Sequence, residues 1–202
     1  MAKKTQNIWD SYDFLELWQD KIFLGHEFLT WLWLTSEVDS SFSLKNGMEA
    51  EIFFENTLRL ESGQGDSKHS VTCQLSKEPT TTEWAEAFVS VMNHKKVISG
   101  RVKIKTPERE WTLNLSGDNL SPKSVKITAG ASFTSDEGGE LGLVGQFLDR
   151  VACLAELNAV LEGLLARFME IRLSKSWESD ELPRLRRWVI KWDQEARGQN
   201  QQ

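Results

Sequence analysis

Arg101, Lys103 and Lys105 occupy every second position of one short stretch. In an extended strand, alternate side chains project from one face about 6.5 to 7 Å apart, close to the phosphate spacing of a nucleic-acid strand. Such a row can neutralise a phosphodiester backbone without reading bases. Residues 95–128 hold eight basic and three acidic side chains, although the whole chain carries a net charge of -6. Positive charge is therefore concentrated, and the candidate phosphate contacts are Lys95, Lys96, Arg101, Lys103, Lys105, Lys123 and Lys126. The competing explanation is a solvated outer face, because half-exposed antiparallel strands carry lysine and edge strands use it against aggregation. Arg184, Arg186, Arg187 and Lys191 form a second basic cluster around Trp188 and Trp192. That cluster suits either nucleic acid or a docking helix whose aliphatic stems shield its apolar side.

Other chemistries find little support. His26, His69 and His94 are scattered, with no second histidine or cysteine at metal-ligand spacing, so neither a zinc site nor a catalytic triad is expected. His26 and Glu27 are adjacent, and adjacent helical residues face different directions, which argues against an acid/base pair. Gly138, Gly139, Gly142 and Gly145 precede a helix, but their spacing misses both the P-loop and the dinucleotide fingerprint. No cofactor and no small-molecule substrate is implied, and the expectation is a protein without enzymatic activity. Cys73 and Cys153 each lie in an apolar run and read as buried thiols in a reducing compartment.

The elements that would position these residues follow from hydrophobic period. Phe14, Leu15, Leu17, Trp18, Ile22, Leu29 and Trp33 recur at helical intervals, with a step at Gly25, and the part after His26 is apolar on nearly all sides. Alternation over residues 50–61 and 71–75 predicts a β-hairpin, and Thr80 with Glu83 opens a helix to about Asn93. Residues 101–105, 111–115 and 125–127 alternate again. A long proline-free helix from Leu143 to about Leu173 has Leu143, Phe147, Val151, Leu154, Leu157, Leu161, Leu164 and Phe168 as one wide stripe, and a last helix runs over about 180–197. The expected fold is α+β: an antiparallel meander of about five to six strands with helices on one face and a long C-terminal helical region. Residues 1–128 form the α+β domain, 129–139 a hinge, and 140–202 the helical region packed on the same core.

With 202 residues, 40% hydrophobic and 27% charged, the chain has an ordinary globular balance. The run Ile22–Leu34 is interrupted by His26 and Glu27 and is too short for a bilayer core of about 30 Å, and the N-terminus lacks a signal-peptide pattern. No membrane association is expected, and a cytoplasmic location is the simplest reading.

The phrase Phe23-Leu24-Gly25-His26-Glu27-Phe28-Leu29-Thr30-Trp31-Leu32-Trp33 resembles one found in RdgC-like proteins, the bacterial recombination-associated family, where a basic residue often replaces His26. The downstream order from Val71 to Leu115 is similar to that family's C-terminal portion. Family members are longer, with little counterpart here to what precedes Ile22, so the resemblance implies a compact relative. It implies a nucleoid-associated homodimer that binds duplex DNA without sequence preference through a positive inner surface and restrains recombinase filaments. The basic residues of 95–126 would carry that role. Phe23, Gly25, Phe28, Trp31 and Trp33 would be a structural motif buried in the core or a dimer. The first expectation is thus sequence-independent binding of double-stranded DNA. The alternative is a protein-interaction module or homodimeric scaffold, joined through the long helix, that touches no nucleic acid.

Overall fold

Residues 25–38 offer no polar stripe wide enough for water, so a helix formed there must be covered on every side. In the computed structural model, which describes residues 24–45, 47–62, 69–74, 87–91, 95–129 and 140–199, that helix is α1 (Gly25–Val38). Phe28, Leu29, Trp31, Leu32, Trp33 and Leu34 are all buried in it. Phe23 and the expected helical turns before it lie outside the described residues. Thr30 is the polar exception with a purpose: its hydroxyl donates to the His26 carbonyl at 2.8 Å and accepts the Val97 amide at 3.0 Å. It thereby ties the helix to the first residues of a strand.

The strands are β1 (Ser41–Ser43), β2 (Glu49–Ser62), β3 (His69–Gln74), β4 (Lys96–Lys105), β5 (Glu110–Ser116) and β6 (Pro122–Ala129). They form one antiparallel sheet in the order β1-β2-β4-β5-β6, with β3 also on β2. The predicted hairpin is β2–β3, and β4-β5-β6 is the predicted meander. The chain then differs from a simple meander, because it crosses from β3 to β4 over β2. Part of that crossing is helical, residues 87–91, with Ala87, Phe88 and Val91 buried.

Alternation places Ile52, Phe54, Leu58 and Leu60 of β2 on the same face as Val102 and Ile104 of β4 and Leu113 and Leu115 of β5, all buried. α1 covers this face, joined by α2 (Glu140–Arg172) and α3 (Leu182–Gln199), which are linked through a π-helical turn, Trp177–Glu181. The C-terminal helices therefore share one hydrophobic cluster with the sheet. Of the expected hinge 129–139, Ala129 ends β6 and the remainder lies outside the described residues. The fold is α+β, antiparallel, with helices on one face. Among the described residues, no helix is long and apolar enough to cross a membrane.

The aromatic phrase is core. Trp31 packs on Phe168 at 5.4 Å and edge-on to Phe42 at 6.0 Å, while Trp33 stacks on Phe88 at 5.2 Å. Gly117, in the turn after β5, is needed for a close approach: a Cβ there would stand 3.2 Å from the backbone of Gly25 and His26 and nearer still to the His26 ring. Cys73 and Cys153 are buried and form no disulfide.

Glu37, in the last turn of α1, has a pH consequence. Burial pushes its carboxyl from 4.5 to about 7, and a negative charge at a helix C-terminus is also unfavourable. Between those values the native form holds a proton that the unfolded chain has released, so stability falls as pH rises through that window. Glu37→Gln is expected to flatten the decline and to exceed the parent by about 1–2 kcal/mol at pH 8, after discounting for partial exposure. Urea unfolding at pH 5 and pH 8 checks it.

Candidate interaction surfaces

The open sheet face gathers the predicted basic row as expected. Arg101, Lys103 and Lys105 are half-buried neighbours on one side of β4. Pairing, however, brings acids to that same side. Glu51 lies opposite Lys105, Glu55 opposite Arg101 and Glu61 opposite Lys96 across β2, while Glu110 of β5 lies opposite Lys105. Directly opposed residues share a face and interact. Lys103 is bonded to Glu110 at 2.9 Å, and the Lys105 ammonium sits 5.0 Å from the Phe53 ring centre. Arg101 presents a buried Nε without a hydrogen-bond partner among the described residues. The positive surplus of residues 95–128 is thus largely matched in space by the glutamates of β2. Lys95 is half-buried just before β4. Lys123 and Lys126 differ: they are exposed on β6 opposite neutral Asn114 and Thr112.

The second basic cluster does not act as one patch. Arg184 turns inward, donating to both carboxylate oxygens of Glu181, at 2.7 and 3.1 Å, and to Thr35 at 3.4 Å. Arg187 and Lys191 are exposed on roughly that side of α3, and Arg186 is half-buried on the opposite side. The Trp192 side chain lies outside the described ones.

Two of the charged residues near α1 are structural. His26 Nε2 meets Asp118 at 3.0 Å, on the surface. Glu27 is only 3% exposed and accepts from Arg172 Nε at 3.1 Å. Burial pushes the Glu27 carboxyl above its ordinary range, against the opposing pull of Arg172 and Lys96. Glu27 joins α1 to α2 and His26 joins α1 to the turn after β5, and neither lines the described pocket. The described pocket, about 560 Å³, lies elsewhere, at Ser41–Ser43, Glu49–Glu51 and Lys105–Pro107, with no histidine or cysteine in its lining. Among the described residues, no group of three or more histidine, cysteine or acidic side chains could hold a metal.

The largest feature that charge patterning missed is on α2. Cys153, Leu157, Val160, Leu164 and Phe168 are buried against the body. Leu143, Val144, Phe147, Leu148, Val151 and Leu154 are exposed, Leu143 by 68% and Phe147 by 65%. At about 100° per residue these sets centre roughly 120° apart round the helix. The single stripe expected from sequence is therefore two faces. The inner face, over residues 153–168, holds the core; the outer face, over residues 143–154, leaves a contiguous apolar patch of the kind that marks an interaction site, on turns where no residue from 143 to 152 is buried. Compared with protein families, with curated proteins and with solved structures, the chain matches none.

Proposed function

We propose that this chain is a non-enzymatic interaction protein, in which an α+β body holds out α2 for another helix to pack on. The observation that carries this reading is the outer side of α2: six large apolar side chains between Leu143 and Leu154 are exposed, while the residues packed into the body begin only at Cys153. A helix of a monomeric globular protein needs one apolar face. The second face has no use within the described body. A dilute solution of the full chain is expected to brighten the dye 8-anilinonaphthalene-1-sulfonate, and Phe147→Ser with Leu148→Ser to remove more than half of that signal. An unchanged signal would sink the reading.

A second reading keeps the nucleic acid that the RdgC-like resemblance implies. Lys123 and Lys126 favour it, exposed on β6 with no acid opposite. Replacing both with glutamine is expected to reduce the slope of log affinity against log salt for a random duplex by about 2, since each neutralised phosphate contributes about 0.9. Absence of binding to that duplex at about 50 mM salt would remove this reading.

A further inference from the structure

We infer that the outer face of α2 pairs with the same face of a second copy of this chain, antiparallel, about a two-fold axis beside Asp149. This rests on the interaction reading above and names its partner. Val144, Phe147, Val151 and Leu154 are separated by three, four and three residues, the a-d-a-d spacing of a coiled-coil seam. Exposed Asn158 takes the next a position and ends the apolar run.

The seam lies far from Leu24, where the described residues begin. Arg172, at the end of α2, bonds Glu27 in the first turn of α1, so the chain preceding Leu24 starts from that end. Leu154 lies 18 residues back along α2, about 27 Å away at 1.5 Å per residue. Residues 130–139, which precede α2, include one large apolar side chain, Phe133.

Antiparallel pairing follows from side-chain size and from charge. About an axis at Asp149, Val144 faces Leu154 and Phe147 faces Val151, so each layer sets a smaller β-branched residue against a larger one. Parallel pairing would set Phe147 on Phe147 and Val151 on Val151. Antiparallel helices also place opposite dipole ends together. The patch offers several hundred Å² per copy. Two such patches approach the lower bound of a specific interface, about 1,200 Å² in total, which makes the dimer reversible.

The test is sedimentation velocity of the full chain across a concentration series, combined with cysteine cross-linking. The expected result is a monomer–dimer equilibrium that Phe147→Glu weakens at least about thirtyfold, the size of an interface hot spot. Val144→Cys mixed with Leu154→Cys should cross-link. Val144→Cys alone should not, because the two copies of that residue would stand about 15 Å apart along the axis, beyond disulfide reach. Cross-linking of Val144→Cys alone would overturn the antiparallel pairing. A monomer at every concentration that still binds the dye through Phe147 would overturn self-pairing and leave the interaction reading standing. A monomer with no Phe147-dependent dye signal would overturn both.

Discussion

Arg172→Ala is expected to cost about 3–5 kcal/mol of folding stability at pH 8, the penalty for stranding a buried carboxylate. Glu27 is 3% exposed and accepts from Arg172 Nε at 3.1 Å; its other oxygen is buried with no donor among the described residues. The same guanidinium lies 5.0 Å from the centre of the Trp177 ring, so it fastens the end of α2 to both α1 and the π-helical turn. The loss should depend on pH. Burial already raises the Glu27 carboxyl above 4.5, and removing the arginine raises it further, so the native form holds its proton to higher pH than the unfolded chain does. Stability therefore falls as pH rises above about 4.5, and the cost of Arg172→Ala at pH 4.5 should be well below its cost at pH 8. Adding Glu27→Gln should recover most of the loss at pH 8, since a neutral amide needs no counter-charge. Urea unfolding of the two single variants and the double variant at both pH values measures the coupling. A pH-independent loss, unrelieved by Glu27→Gln, would show that Arg172 acts through packing alone.

The other large effect is at Trp31. Its ring is 1% exposed, between Phe28, Phe42 and Phe168, and its indole Nε1 donates to Glu181 at 2.8 Å. Trp31→Ala is expected to cost about 4–5 kcal/mol, the upper part of the range for aromatic truncation, because the ring ties α1, β1, α2 and the π-helical turn together. Trp31→Phe keeps most of the packing and removes the indole donor. Glu181 retains its two bonds from Arg184, so that variant should lose about 1–2 kcal/mol. Thermal and urea unfolding distinguish the two, and equal losses would mean that the indole hydrogen bond, and not the ring, carries the effect.

Much of this fold was legible because local pattern reports burial directly. The run Phe28–Leu34 had no polar face, and it became a helix covered on all sides. Strict alternation at 101–105 and 111–115 became β4 and β5. The three-residue strand β1, Ser-Phe-Ser, carries too little pattern to be read. The basic face was half legible. The row Arg101, Lys103 and Lys105 was visible, but counting charge along a segment cannot see that β2, some fifty residues earlier, sets Glu51 and Glu55 opposite Lys105 and Arg101.

The two faces of α2 were concealed by a drift in period. A four-residue step advances about 40° round the helix and a three-residue step retreats about 60°. Two successive three-residue steps, Val151 to Leu154 to Leu157, carry the stripe about 120° from the outer face to the inner one. A list of apolar residues at three- and four-residue intervals looks continuous through that turn. Summing the angle residue by residue separates the two faces, and spacing alone does not.

The most direct test of the outer face is the unfolding free energy of Phe147→Gln beside that of Leu157→Gln, both measured on protein dilute enough to be monomeric. Phe147 is 65% exposed and Leu157 is fully buried, although both belong to the same apparent stripe. The prediction is a change within about 0.5 kcal/mol for Phe147→Gln, as for an exposed position, against a loss of several kcal/mol for Leu157→Gln. A comparable loss at both positions would show that the chain buries its outer α2 face against itself, and the surface proposed for a partner would not exist.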